Sequence, residues 1–113
     1  LQDVVAVGAP ELLTTFLSAP LGELVQPLLC FSDNLFAEQV WRIAARVATG
    51  DGSTAASAAH GRAVLATLGI DPQGLVQADG SGLSRRNLVQ PRQLAGVLSV
   101  AWQAPWREPV VAA

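Results

Sequence analysis

The stretch from Leu35 to Thr49 constrains this chain more than any other. Phe36, Val40, Ile43 and Val47 recur at i, i+4, i+7 and i+11, so a helix gathers all four into one apolar stripe. Glu38, Arg42 and Arg46 follow one another at i, i+4 spacing on another face, where Glu38 and Arg42 can pair. Both ends carry boundary signals. Ser32-Asp33-Asn34 precedes the stripe, and the side-chain oxygen of Ser32 or Asp33 can accept a free N–H of the first turn. Gly50-Asp51-Gly52 ends the helix and starts a turn.

The rest of the chain reads outward from this helix. Val4 to Val7 is a short apolar run ending at Gly8 and Pro10, hence a strand, and Glu11 to Leu17 is a second one stopped by Ser18-Ala19-Pro20. Leu21 to Cys30 has Leu21, Leu24, Val25 and Leu28 at helical spacing, with Pro27 expected to break or bend it. Ser53 or Thr54 can cap a helix running to about Leu68, with Val64, Leu65 and Leu68 as its buried stripe and Gly69 as a left-handed C-cap. Leu75 to Ala78 reads as a strand leading into the turn residues Asp79-Gly80-Ser81-Gly82. Pro91 suits the first position of a last helix, which reaches about Trp102 with Leu94, Val97, Leu98 and Ala101 inward. Pro105 and Pro109 block any continuation.

Composition excludes several functions. Half of the 113 residues are apolar and only 14% are charged, so the surface is suited to packing against further protein. A net charge of −2 offers no basic footprint for nucleic acid. No apolar run approaches the roughly 20 residues of a membrane span. Leu1-Gln2-Asp3 does not begin a basic and then apolar leader, so no signal peptide is read. The absence of methionine makes an internal fragment of a longer chain the simplest expectation. Cys30 and His60 are the only residues of their types, too few for a disulfide or a four-ligand zinc site. A buried thiol at Cys30 and a helix-face His60 are expected, with no metal and no cofactor. All seven basic residues are arginines, so lysine is absent.

Two blocks carry chemistry. Phe31-Ser32-Asp33-Asn34-Leu35-Phe36-Ala37-Glu38 resembles the S-D-N-x-x-A-E block of the S13-type D-alanyl-D-alanine carboxypeptidases, the class C low-molecular-mass penicillin-binding proteins. Asp79-Gly80-Ser81-Gly82-Leu83-Ser84-Arg85-Arg86-Asn87-Leu88-Val89 resembles the D-G-S-G-L-S-R-x-N run of the same family, and Pro91-Arg92-Gln93-Leu94 continues it. Leu12 to Leu29 is similar to the segment leading into S-D-N.

The resemblance implies an α/β fold: residues 1–113 as a helix-rich part, with a few short strands, of one β-lactamase/transpeptidase-like D,D-peptidase domain. It implies a serine-type carboxypeptidase or endopeptidase that cleaves peptidoglycan stem peptides through an acyl-enzyme. Such an enzyme works outside the cytoplasm in a bacterial envelope and is acylated by β-lactams. These enzymes carry the nucleophile in S-x-x-K and dock substrate at K-T-G. A chain without lysine contains neither, so the remainder of a longer protein is the implied partner and this chain alone is expected to be inactive. Ser32 corresponds to the motif serine, whose hydroxyl relays a proton. Asn34 corresponds to the motif asparagine, which holds the substrate's amide carbonyl. Arg85 is a candidate for binding a substrate carboxylate bidentately, the alternative being an internal salt bridge to a structural Asp79. Asp33 reads as a cap, and Arg86 and Arg92 as solvated. One departure is Cys30, which stands where family members often carry a lysine. A non-catalytic homologue or helical interaction module is the alternative reading of the whole chain.

Overall fold

A computed structural model of the chain describes residues 14–112. In chain order the helices are α1 (Leu21–Phe31), α2 (Asn34–Thr49), α3 (Thr54–Thr67), α4 (Pro91–Gln103) and the single turn α5 (Glu108–Val111). α2 and α3 begin as their cap signals require. The Asp33 carboxylate accepts the Phe36 N–H at 2.9 Å, and the Ser53 hydroxyl accepts that of Ala56 at 3.2 Å. Gly69 follows α3 with φ +73°, and the next residue, Ile70, donates back to the Leu65 carbonyl at 2.9 Å.

Three expectations change. α1 runs through Pro27 as one element, since a missing N–H removes a single helical bond. Pro109 sits in the first turn of α5, where that N–H has no helical partner anyway. The α/β character is reduced, among the described residues, to one isolated antiparallel bridge between Val76 and Leu88. The expected strand from Leu75 to Ala78 therefore pairs at one residue only, because the chain turns into a polar loop at Asp79. Residues 14–17 are irregular, and the rest of the expected N-terminal strands lies outside the described residues.

The helices form a thin assembly. α2 packs on α3, and α1 touches both α2 and α5. The only apolar residues buried among those described are Ala45 and Ala101. Val64, Leu68, Leu94, Val97 and Leu98, expected inward, are 39–63% exposed, and Val64, Leu94 and Val97 line an open cavity with Trp41 and Leu75 rather than a closed core. The α2 stripe likewise opens onto an apolar groove of about 490 Å³, which Phe36, Val40, Ile43 and Val47 share with Leu21 and Leu24. The radius of gyration is 16.8 Å, against about 13 Å for a compact domain of about 100 residues, so the apolar surface is not folded in upon itself.

Polar side chains do much of the joining. Gln93, 1% exposed on α4, is the largest fully buried side chain among the described residues. Its Oε1 accepts the Gln90 N–H at 2.9 Å, while its Nε2 donates to the carbonyls of Asp71 (3.0 Å) and Gln73 (3.2 Å). One amide thus fastens the start of α4 to the loop after α3. Gln93→Leu strands the Gln90 N–H and the Asp71 carbonyl, while the Gln73 carbonyl keeps its bond from Gln90 Nε2 at 3.1 Å. It is expected to destabilise the full-length protein by about 2–3 kcal/mol in urea unfolding, and an unchanged midpoint would show that the amide fastens nothing.

Candidate functional site

Ser32 lies at the junction of two helices. Its N–H and that of Asp33 (3.2 Å) both turn back to the Leu28 carbonyl, closing the end of α1. This closure puts Ser32 in the left-handed region, at φ 52° and ψ 48°. Among the described residues it is the only non-glycine with positive φ. A side chain there costs about 1–2 kcal/mol relative to the right-handed helix, and such outliers concentrate at functional positions. Asp33 is committed to capping α2, as expected, and Asn34 is the first residue of that helix. Ser32 and Asn34 therefore flank the cap. Both are exposed, and neither side chain makes a hydrogen bond among the described residues.

The second block forms a closed loop. Val76 and Leu88 exchange both backbone hydrogen bonds at 2.9 Å, and residues 77–87 are held between them. Asp79 is the hub. Its Oδ1 accepts the Gly82 N–H (2.7 Å) and the Asn87 Nδ2 (2.9 Å), and its Oδ2 accepts the Ser84 N–H (2.8 Å). Asn87 Oδ1 in turn accepts the Ala78 N–H at 2.7 Å. The Asn87 amide, with the Gly82 and Ser84 N–H groups, holds the Asp79 carboxyl below the usual aspartate range against the opposing effect of desolvation. The Asn87 N–H bonds to the Ser84 carbonyl at 3.1 Å, so Arg85 occupies the corner of a tight turn. Its backbone is fixed, and its side chain is exposed and unpaired among the described residues. The alternative salt bridge to Asp79 does not form. Arg92, expected to be solvated, pairs with Asp71 at 3.2 Å while both remain more than half exposed.

Glu38 connects the two blocks. Its Oε2 accepts the Gly80 N–H at 2.6 Å, and its Oε1 accepts Arg42 Nε at 2.6 Å. Arg42 passes the tie to α3 through Nη2 to Thr54 Oγ1 at 3.0 Å. Trp41 completes the contact: a Cβ on Gly80 would lie 2.5 Å from the Trp41 Cβ and 2.9 Å from its Cγ. Only a glycine lets this backbone come so close to the helix. The Gly80 N–H, and after it the Arg42 side chain, hold the Glu38 carboxyl below the usual glutamate range. The i, i+4 spacing gave the Glu38–Arg42 pair. The roles of Gly80, Trp41 and Asn87 had no local signal, since each depends on a neighbour distant in sequence.

No group of three or more His, Cys, Asp or Glu side chains is placed to hold a metal among the described residues. Cys30, expected to be buried, is exposed in the last turn of α1, a helix with no buried residue. His60 is half-buried on α3 and lines a cavity with Trp41 and Gln77.

A model of the D-Ala-D-Ala carboxypeptidase 3 (S13) family matches residues 2–113. The chain belongs to this S13 family. It is 38% identical over 98 residues to a D-alanyl-D-alanine carboxypeptidase of Actinomadura sp. strain R39, an alignment covering 87% of this chain and 18% of that protein. It is 37% identical over 93 residues to the D-alanyl-D-alanine carboxypeptidase DacB of Haemophilus influenzae, covering 78% of this chain and 19% of that protein. This S13 chain thus spans about a fifth of the length of these relatives.

The depressed carboxyls give the S13 loop an acid dependence. Each stabilises the folded state fully above its ordinary pKa, and the contribution disappears as pH falls through the lower folded value. Hydrogen-exchange protection of the Gly80 amide is expected to fall with acidification below the ordinary glutamate pKa. In Glu38→Gln that acid step should vanish at Gly80 and persist at Gly82 and Ser84, which Asp79 holds. Retention of the step at Gly80 in the variant would break the assignment.

Proposed function

We propose that residues 1–113 are part of a single transpeptidase-like domain of a serine D-Ala-D-Ala carboxypeptidase or endopeptidase, and that they supply its second motif. The observation that carries this reading is a division of labour within the two blocks. Asp33, Glu38, Asp79 and Asn87 are engaged in hydrogen bonds that build the site. Ser32, Asn34 and Arg85 are exposed, and their side chains make no hydrogen bonds among the described residues. Side chains held ready on fixed backbone are what substrate recognition needs.

In this reading Ser32 relays a proton between a lysine of the nucleophile motif, elsewhere in the full-length protein, and the departing amine. Asn34 orients the stem peptide through its carbonyl. Arg85 receives a carboxylate on the stem-peptide side chain, where a guanidinium offers two parallel donors. The substrate is a peptidoglycan stem ending in D-Ala-D-Ala, and β-lactams acylate the same nucleophile. The work is extracytoplasmic, and no helix among the described residues is long and apolar enough to cross a membrane. The extensive open apolar surface also suits the second reading, a homologue that keeps the scaffold for interaction and has lost turnover.

Two substitutions at Ser32 in the full-length protein separate these readings. Ser32→Ala keeps the strained Cβ and removes the hydroxyl, whereas Ser32→Gly removes both. Turnover of a D-Ala-D-Ala peptide is expected to fall about 100-fold or more in each, the range for a lost acid–base group. Ser32→Gly should nonetheless melt no lower than the parent, because glycine accepts φ 52° without strain. Full turnover in both variants would remove Ser32 from the mechanism, and no turnover in the unsubstituted protein would favour the interaction module.

A further inference from the structure

We infer that Glu38 is a positioning residue for substrate selection, setting where Arg85 stands relative to Ser32 and Asn34. The inference rests on the carboxylate-binding role proposed for Arg85 and adds the group that makes it effective. Glu38 lies one turn into α2, whose first residue is Asn34 and whose cap is Asp33. Its carboxylate accepts the Gly80 N–H, and Gly80 adjoins Asp79, which grips Gly82, Ser84 and Asn87 around Arg85. Hydrogen bonds joined by the Asp79–Gly80 peptide bond therefore run from α2, which starts at Asn34, to the corner that carries the guanidinium.

The tie is two-sided. Arg42 draws the same carboxylate back toward α2 and reaches Thr54, so Glu38 is held at both oxygens and has little freedom to follow a moving loop. Trp41 packs closely against Gly80 as well. The Val76–Leu88 pair closes the base of the loop by joining its two ends to each other, so it does not by itself fix the loop against α2. A bidentate arginine tolerates small displacement poorly, since both of its bonds depend on one orientation. Loss of Glu38 should then harm recognition of the carboxylate more than the chemistry at the scissile bond.

The test uses the full-length protein and two synthetic D-Ala-D-Ala stem peptides that differ only in a side-chain carboxylate or carboxamide. The readout is the ratio of kcat/KM for the two. Arg85→Ala should collapse this ratio. Glu38→Gln keeps the shape but offers one acceptor for two donors, and should lower the ratio about tenfold through KM, the equivalent of one charge-assisted hydrogen bond. Gly80→Ala, which displaces the loop from Trp41, should do the same with Glu38 intact. In the Arg85→Ala background Glu38→Gln should have no further effect on the ratio, because it acts through Arg85.

Equal loss on both peptides, an unchanged ratio in Glu38→Gln and Gly80→Ala, or additive effects in the double variant would each overturn the inference while leaving Arg85's role intact. A ratio untouched by Arg85→Ala would instead remove Arg85 from substrate binding. If Glu38→Gln still lowered the ratio, the tie would act through another group of the loop, which also overturns the inference.

Discussion

The carboxylate of Glu38 is the interaction on which the arrangement of the two motif blocks depends. One oxygen holds the amide of Gly80 and the other the guanidinium of Arg42, and through them three parts of the chain meet: the α2 surface, the glycine-rich loop and the start of α3. The bond to Gly80 spans 42 positions in sequence. Its strength comes from the ionised acceptor and from partial burial, since the Glu38 side chain is only 19% exposed. Asp79 repeats the device on a smaller scale inside the loop, where one carboxylate gathers several donors.

This reliance on polar hubs follows from the thinness of the apolar core. Where burial among the described apolar residues is limited to Ala45 and Ala101, the hydrophobic contribution per helix is small and interhelical geometry must be fixed in other ways. Glu38, Asp79 and Gln93 each satisfy two or more backbone or side-chain groups at once. Directional bonds of this kind define a geometry more sharply than they stabilise it. That suits two blocks whose candidate side chains, Ser32, Asn34 and Arg85, are exposed.

Local physics was well legible in the sequence. The stripe from Phe36 to Val47, the Asp33 and Ser53 caps, the left-handed Gly69 and the start of α4 at Pro91 all act within a few residues, and each is found in the structure. The burial expected of Val64, Leu94 and Leu98 did not follow, because periodicity identifies an apolar face and says nothing of what covers it. The strand at Leu75–Ala78 is one bridge long for a related reason: pairing needs a partner, and Leu88 is the only one among the described residues. At the candidate site, Ser32, Asn34 and Arg85 were legible as members of recognisable blocks. Glu38's second bond was not, since nothing near Gly80 in sequence points to an acid on a distant helix.

The junction at Ser32 has an electrostatic consequence. α1 ends immediately before it and α2 begins two residues later, so the partly negative carbonyl end of one helix and the partly positive amide end of the next are separated by Ser32 and Asp33 alone. Ser32 thus sits between helix ends of opposite partial charge, and the Asp33 carboxylate beside it is bound to the amide end of α2.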